Sequence, residues 1–469
     1  MIRLIFCCLL FLLFGCDQTV KTAQVRPDQL QFPKLEFTFP EVSKQQLANG
    51  MKLYMKEDHE LPLVDITMMI DGGSIEDSLA QTGLSQFFAA ALETGGTESL
   101  SPIELESELE DMAAELSVES DSYNLSIHLS IHQQDLRRGL EILADMLRRP
   151  RFDAERVELA RKQLLEVIHR QNDDPGMVAE RILSEAVFPQ HPLGSTAKAA
   201  AVEAFSREDL LKKQQRCLQP NNIWIAVSGA VEQRQMIDLL NDNFADWQPV
   251  VQITAPLPPL PPTPEGRVWM VSKDIPQTSI MIGHPGINKD NPDLFALQIA
   301  NFILGGGGFN SRMMREIRSN RGLAYSVYSY FKVGRRLPEL FIAAAETKCA
   351  TTGEVVSLMQ QLMQQLRDEP VSAEELELAK QSLINSFVFA FNDTHSIVTR
   401  KVRLDFFSYP EGYLENYRDR IAAVTIADVQ RVARKYLHSD QLQIVLVGDL
   451  NLFVSDVDDF GLPVEQVEL

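Results

Sequence analysis

The sequence predicts an α+β protein of two homologous domains, each a mostly antiparallel sheet packed with helices. Three observations lead to this prediction. The chain has 469 residues, which is too long for one ordinary core. A proline-rich segment interrupts it, and the sequences on its two sides resemble each other at a constant spacing. Strands and helices also follow one another without strict βαβ alternation, which favours antiparallel pairing.

The interruption is the segment APLPPLPPTPEG, from Ala255 to Gly266. Proline at this density forms a stiff, extended connector and cannot belong to a helix or a central strand. We therefore predict an N-terminal domain over residues 37–250, a linker over 251–266 and a C-terminal domain over 267–455.

The two domains share a sequence repeat. A shift of 219 residues places segment 206–230 on segment 425–449, and segment 159–174 on segment 378–393. In the first pair, each segment has a capping hydroxyl with Asp three residues later, then an amphipathic helix, a polar turn and a strand that ends near glycine. A constant shift over about 70 residues indicates a duplicated domain.

The sequence pattern predicts several strands and helices of the first domain. The segments MKLYMKED and LVDITMMID alternate like antiparallel strands, and Ser101-Pro102 caps a helix. In YNLSIHLSIHQ the period of two predicts a strand with one apolar face, and QDLRRGLEILADMLRRP predicts an amphipathic helix that ends at Pro150. The apolar face of that strand consists of Leu125, Ile127, Leu129 and Ile131.

The N-terminus has the pattern of a secretory signal. Arg3 precedes an apolar run of twelve residues, too short for the ~20 that cross a bilayer. Leu13-Phe14-Gly15-Cys16 resembles a bacterial lipobox, so we predict a signal peptide over 1–15, lipidation of Cys16 and a polar tether over 16–36. Asp17 resembles an inner-membrane retention signal. The expected location is the bacterial cell envelope, facing the periplasm; an ordinary signal peptide is the alternative.

Composition limits the function. The formal net charge is −21 with a pI near 4.9, and no basic patch appears, which disfavours nucleic-acid binding. The acidic charge suits solubility, or attraction of basic peptides. Once the signal and the lipidated residue are set aside, only Cys217 and Cys349 remain. Two distant cysteines make neither a disulfide framework nor a zinc cluster, so we expect both in the core.

The segment GLSQFFAAALETGGT, Gly83 to Thr97, is typical of an amphipathic helix that ends at a glycine pair. It resembles the active-site helix of the insulinase/pitrilysin-type (M16) zinc peptidases, Gly-Leu-x-His-Phe-x-Glu-His-x-x-x-x-Gly-Thr, although its Gly-Thr comes one residue late. In that family the two histidines bind zinc and the glutamate activates water. Here the three positions hold Gln86, Ala89 and Ala90.

The resemblance implies a distal glutamate ligand about 76 residues further on, at Glu166. One carboxylate does not hold zinc, which needs three protein ligands and an open position. We therefore expect no catalytic site and no cofactor in this chain, and a structural or solvated role for Glu166. A substitute metal site that uses His169, or His128 and His132, is the alternative.

The segment FILGGGGFNSRMMREIRSNRGLAYSVYSYF, residues 302–331, resembles the matching part of the family's C-terminal domains. Its glycines lack a following Gly-Lys-Ser/Thr, which excludes a P-loop, and favour a tight turn into a helix capped by Asn310 or Ser311. The resemblance implies that Arg318 and Tyr325 are the family's pair that faces the zinc. The alternative is a surface arginine and a core tyrosine.

The resemblance covers about residues 37–449 and implies two domains of the LuxS/mitochondrial-processing-peptidase type. The small bacterial members of the family resemble clamshells in which one chain carries the zinc motif and the other the Arg/Tyr pair. We therefore expect a non-catalytic subunit that pairs with a zinc-bearing M16 partner and binds peptide substrate. The alternatives are a peptide-binding or assembly scaffold without a peptidase role and, last, a stand-alone zinc peptidase.

Overall fold

The computed structural model describes residues 38–250, 257–453 and 460–469. The predicted signal peptide, tether and lipidated Cys16 lie outside the described residues, as do linker residues 251–256. Linker residues 257–266 form neither helix nor strand. No helix in the part of the chain that the structure describes combines the length and the apolar character needed to cross a membrane.

The first half of the chain forms a six-stranded sheet in the order β1-β2-β6-β3-β5-β4. Its strands are β1 (Ser43–Gln46), β2 (Lys52–Glu57), β3 (Leu63–Asp71), β4 (Glu115–Ser120), β5 (Asn124–His132) and β6 (Ile223–Gly229). Only the pairing of β2 with β6 is parallel. Strands β2 and β3, which the sequence predicts from MKLYMKED and LVDITMMID, are not neighbours in the sheet. Strand β6, which begins at residue 223, lies between them and pairs with both.

The first half also contains α-helices. They are α1 (Leu84–Thr94), α2 (Pro102–Asp111), α3 (Leu136–Arg148), α4 (Ala154–Arg170), α5 (Pro175–Val187), α6 (Ala199–Ala204), α7 (Arg207–Cys217) and α8 (Gln233–Phe244). The alternation predicted for β5 is confirmed, since its four apolar residues are buried. The predicted cap at Ser101 is also confirmed: its hydroxyl and Glu104 form a capping box.

The second half repeats this plan with the sheet order β12-β7-β11-β8-β10-β9. The strands are β7 (Arg267–Ser272), β8 (Gln277–Pro285), β9 (Ala324–Phe331), β10 (Leu340–Lys348), β11 (Gln443–Gly448) and β12 (Val464–Gln466). The helices are α9 (Leu294–Asn301), α10 (Thr352–Asp368), α11 (Ala373–Ser386), α12 (Thr394–Phe406), α13 (Tyr413–Ala423) and α14 (Ile426–Tyr436). Two π-helical segments, Phe302–Gly306 and Met314–Asn320, flank the glycine-rich turn.

Local details of the second half agree with the sequence patterns or refine them. Thr425 and Asp428 form a capping box at α14, as Ser206 and Asp209 do at α7. At the glycine-rich turn the cap is Ser311 and not Asn310: the Ser311 hydroxyl accepts a hydrogen bond from the Met314 N–H at 3.4 Å. The two cysteines expected in the core are both buried and unpaired.

The duplication extends to the element boundaries. When the sequence is shifted by 219 residues, the bounds of α5 (Pro175–Val187) coincide with those of α12 (Thr394–Phe406). The bounds of α7 coincide with those of α14 in the same way. The elements equivalent to α3 and β6 are α10 and β11, whose bounds differ by a few residues. Equivalent sequence thus folds into equivalent structure over the C-terminal part of each half.

Helices α5 and α12 cross between the halves. Leu183 and Val187 of α5 belong to an apolar cluster with Met281 of β8 and Val447 of β11, in the second sheet. In return, α12 packs on the first sheet, where Phe406 contacts Trp224 with ring centroids 5.2 Å apart. Each sheet therefore has one face covered by helices of its own half and the other covered by a helix of the other half.

Candidate functional site

Helix α1 begins at a turn that requires glycine. Gly83 has a φ of 97°, in the left-handed region, and a Cβ atom there would lie 2.6 Å from the Cβ of Ala197. The helix that follows exposes Gln86, whereas Ala89 is 4% exposed and Ala90 is half-buried against the core. The glycine that fixes the helix is retained, while the two ligand positions and the glutamate position of the motif hold no histidine and no carboxylate.

A buried ion pair holds the first turn of α1. The Asp77 carboxylate accepts hydrogen bonds from the backbone N–H and the hydroxyl of Ser85, each at 2.9 Å. Lys213 of α7 donates to the same carboxylate at 2.9 Å and to the Ser85 hydroxyl at 2.6 Å. A carboxylate at a helix N-terminus is also stabilised by the helix dipole. This pair was not predicted from the sequence. The feature that could have indicated it is a lysine on the apolar face of α7, between Leu210 and Cys217.

The C-terminal end of α1 is tied to the first sheet. The Glu93 carboxylate accepts a hydrogen bond from the Val118 N–H of β4 at 2.8 Å. Gly96 then turns the chain with a φ of 74°, and the buried Thr97 accepts a hydrogen bond from the Leu100 N–H at 3.1 Å. The Gly-Thr end of the segment therefore serves the packing of the fold.

The residues at α1 do not fit a zinc ion. Glu166 lies on α4, which packs against α1, but its side chain is exposed and pairs with Arg170 at 3.9 Å. Gln86, Ala89 and Ala90 supply neither an imidazole nor a carboxylate, and zinc requires three protein ligands. No zinc-assisted step therefore follows from this half of the chain.

The histidines considered for a substitute metal site have other surroundings. His132 Nδ1 accepts a hydrogen bond from the Gln134 N–H at 3.2 Å, and His169 is exposed one turn from Glu166. Over residues 38–250, 257–453 and 460–469, no group of three His, Cys, Asp or Glu residues is arranged to hold a metal ion.

His128 takes part in a contact between the halves. Its Nδ1 lies 3.1 Å from the Thr67 hydroxyl, which lies 2.8 Å from Nε2 of His395 on α12. The Ser228 hydroxyl lies 2.9 Å from Nδ1 of the same His395. Burial lowers the pKa of His395, more strongly than the nearby Asp65 raises it. The imidazole of His395 thus joins the crossing helix to strands β3 and β6.

A cavity of about 600 Å³ opens beside α1. Gln86 lines it together with apolar residues of α4 and α5, and with Lys332, which follows β9 in the second half. Lys332 pairs with the buried Glu339 at 2.8 Å. Arg318 and Tyr325 do not line this cavity. The predicted substrate-binding pair is therefore not part of the cavity at the degenerate helix of its own chain.

Arg318 and Tyr325 contact each other on the surface of the second half. The Arg318 guanidinium lies 4.6 Å from the ring centre of Tyr325 and 4.7 Å from that of Phe309. Tyr325 is 79% exposed and is the second residue of β9, an edge strand of the second sheet. Arg318 has no ion pair with any of the described residues. The two rings hold the guanidinium by cation–π contacts and leave its N–H donors available.

Phe309 is a member of this cluster that the sequence analysis missed. It is 65% exposed in the glycine-rich turn, between Gly308 and Asn310. An exposed phenylalanine in a turn, nine residues before an arginine on a helical segment, is the signal that could have identified it.

Two consecutive stretches of the chain match two described parts of one protein family, and the second runs from the end of the first half across the linker into the second half. Residues 52–200 match the family described as insulinase (peptidase family M16), and residues 204–383 match the peptidase M16 inactive domain. The chain belongs to the M16 peptidase family.

Some relatives of this M16 chain are named zinc proteases, and another is named a non-peptidase homolog. It is 24% identical over 398 residues to the non-peptidase homolog YmxG of Helicobacter pylori, covering 84% of this chain and 91% of that one. It is also 24% identical to an uncharacterized zinc protease of Streptomyces coelicolor over 372 residues, covering 78% and 80% of the two chains.

Solved structures share the fold. A peptidase M16 inactive domain from Pseudomonas fluorescens superposes with a TM-score of 0.79 at 24% identity, covering 87% of this chain and 98% of that one. A protease from Helicobacter pylori gives a TM-score of 0.77 at 17% identity, covering 88% and 100%. The two-domain M16 fold predicted from the sequence is confirmed.

Proposed function

We propose that this chain is the non-catalytic subunit of an M16 peptidase, which pairs with a zinc-bearing M16 partner and binds peptide substrate through Arg318 and Tyr325. One observation carries the proposal. The Arg318 guanidinium lies within 4.7 Å of the centres of two aromatic rings, has no ion pair with the described residues, and contacts a tyrosine that is 79% exposed. A guanidinium that contacts aromatic rings but has no ion pair in the described part of the chain suits a ligand from outside.

The chemistry of the pair suits a peptide. A guanidinium offers a fork of N–H donors that binds a peptide carbonyl or a carboxylate by charge-assisted hydrogen bonds. The Tyr325 hydroxyl can donate a hydrogen bond to the oxygen of a peptide carbonyl, which becomes negatively charged when the carbonyl is polarised. Because α1 lacks the ligands, the hydrolytic chemistry is assigned to the partner, and this chain orients the substrate.

The location is also a proposal. Cys16, with its lipobox, would anchor the subunit on the periplasmic side of the inner membrane, and the tether would separate the folded part from the bilayer. Cys16 and the tether lie outside the described residues.

The test uses the chain together with an M16 protein that carries an intact His-x-x-Glu-His and is encoded beside it. We expect no peptide cleavage by the chain alone, and cleavage by the mixture. The variant Arg318→Ala/Tyr325→Phe should lower kcat/KM of the mixture by at least about tenfold, the loss expected for one charge-assisted contact. Arg234→Ala, an exposed arginine on α8, is the control and should leave kcat/KM unchanged.

Two results would contradict the proposal. Stoichiometric zinc in the lone chain, with cleavage that Glu166→Gln abolishes, would show a peptidase active without a partner. A complex that forms and cleaves equally well with the double variant would favour a scaffold without a role in substrate binding.

A further inference from the structure

A second cavity, of about 810 Å³, lies between the crossing helix α12 and the first sheet. It is the duplicate of the cavity at Gln86, because the 219-residue shift carries lining residues of the first cavity onto lining residues of the second. The matched pairs are Ile168 with Phe387, Gln171 with Ala390, Met177 with Ser396, Glu180 with Thr399, Arg181 with Arg400, and Ser184 with Arg403. Duplication has thus produced two concave sites of different chemistry in one chain.

One wall of the second cavity is aromatic. The rings of Tyr409 and Tyr413 lie 4.5 Å apart, and those of Phe387 and Tyr417 lie 4.6 Å apart in a stacked arrangement. Phe389 extends this wall outward and is 75% exposed. Aromatic walls of this kind bind an apolar or planar group through its faces and edges.

The same cavity carries two arginines that have no acidic partner among the described residues. Arg400 and Arg403 are three residues apart on α12 and therefore lie on one face of the helix. Neither makes an ion pair or a side-chain hydrogen bond with any residue of the described ranges; their guanidinium groups lie 5.4 Å from the rings of Phe391 and Phe407. The pKa of Arg400 is lowered by burial first and by the charge of Arg403 second. Both side chains are exposed to solvent, and a negatively charged ligand beside them would offset the repulsion between their two charges.

The opposite wall is acidic and polar. Asp121 is occupied, since it accepts hydrogen bonds from the backbone N–H groups of Tyr123 and Asn124 at 2.6 and 2.8 Å. Glu119 of the edge strand β4 is exposed and has no ion pair among the described residues. Side chains such as Asn392 add amide groups to the lining. Donors and acceptors of this kind suit a ligand with peptide groups better than a hydrocarbon chain.

We propose that this cavity is a second binding site, which takes the C-terminal end of a short peptide, with its apolar or aromatic last side chain on the tyrosine wall and its free carboxylate between Arg400 and Arg403. A basic residue or the amino terminus of the peptide faces Glu119. The site needs neither zinc nor a partner subunit, so it goes beyond the proposed function and is tested separately from it.

The test is isothermal titration calorimetry of the full-length chain with three probes: the tripeptide Lys-Ala-Phe with a free carboxylate, the same tripeptide as its C-terminal amide, and octanoate. We expect the free acid to bind at least about tenfold more tightly than the amide. Arg400→Gln/Arg403→Gln should remove that difference. Arg234→Gln/Arg420→Gln changes the net charge equally at two exposed arginines outside the cavity, and should retain the difference.

A further variant separates the apolar contact from the charge. Phe389→Ala removes an exposed ring and should weaken the acid and the amide alike. Circular dichroism and the unfolding midpoint of each variant show that it is folded. Equal affinity for acid and amide, no binding of the peptide to the unmodified chain, or octanoate bound as tightly as the peptide would each overturn the proposal.

Discussion

Lys213 and Asp77 form an ion pair that solvent hardly reaches: Nζ lies 2.9 Å from Oδ1, and the side chains are 1% and 2% exposed. The 219-residue shift carries Lys213 onto Val432, which is buried in the apolar core of the second half. Equivalent helices are thus fixed by charge in one half and by apolar packing in the other. The ion pair belongs to the half that kept the frame of the active-site helix.

Lys213→Met should destabilise the chain strongly. It leaves the Asp77 carboxylate buried without its cation, which costs about 3–5 kcal/mol of unfolding free energy. Urea unfolding measures the loss. Lys212→Met is the control, because Lys212 is exposed and pairs with an exposed Glu208, so its midpoint should hardly change. Asp77→Asn/Lys213→Met should recover part of the loss, and equal midpoints for the two single variants would contradict the prediction.

Ala89→Glu, which restores the family's glutamate, should destabilise the chain. Ala89 is 4% exposed and packs in the first core, so a carboxylate there is buried without a partner and must displace its neighbours. We expect a loss of roughly 2–4 kcal/mol in the unfolding free energy. Gln86→Glu is the control on the exposed face of the same helix. If Ala89→Glu unfolds at the same urea concentration as Gln86→Glu, the site has kept room for the lost carboxylate.

Leu183→Ala should weaken both halves together. Leu183 of α5 is fully buried on the second sheet, close enough that a Cβ on Gly283 would lie 2.9 Å from its Cδ2. Truncation should cost about 2–5 kcal/mol, and unfolding should remain one transition. Leu159→Ala, on the exposed side of α4, is the control. Coincident circular dichroism and tryptophan fluorescence curves check the single transition, and two separate transitions would show that the crossing helices do not couple the halves.

Stability should fall as the pH drops below about 6.5, the ordinary pKa of histidine. Burial lowers the pKa of His395 in the folded chain, so the unfolded chain binds the additional proton. The contribution of His395 to the free energy of unfolding is therefore complete above about pH 6.5, and it is lost as the pH falls towards the lowered pKa. Urea midpoints at about pH 7.5 and about pH 5.5 should differ less in His395→Gln than in the unmodified chain.

His59→Gln replaces an exposed histidine in the same assay and should leave the pH dependence unchanged. Other buried histidines add to the effect, above all His284, where burial lowers the pKa to about 3. If the urea midpoint decreases equally in His395→Gln and in the unmodified chain when the pH is lowered, His395 does not contribute to the pH dependence.

Much of the fold could be predicted from the sequence, because periodicity and caps are local. The repeat, the strand around Leu125 and the capping hydroxyls of Ser206 and Thr425 all depend on residues a few positions apart. The position of β6 between β2 and β3 could not be predicted, since pairing depends on segments more than 150 residues apart. The crossing of α5 and α12 was missed for the same reason: an apolar helix face does not specify which sheet covers it.

The candidate site divides in the same way. The loss of the two zinc ligands at Gln86 and Ala90, and of the glutamate at Ala89, is visible in the sequence, because these roles depend on residue type. The partners of Asp77, and the absence of an ion pair at Arg400 among the described residues, are properties of the packed chain. The role of Arg318 and Tyr325 stays a prediction, now with a described contact between the two side chains.

The exchange of α5 and α12 amounts to a domain swap fused into one polypeptide. Two separate copies of an ancestral half could have traded the same helix, each completing the other, before duplication joined them. A chain cut at the linker would leave each sheet able to recover its cover only from the other fragment. The two fragments, produced together, should therefore reassemble, while either one alone should expose an apolar sheet face and self-associate.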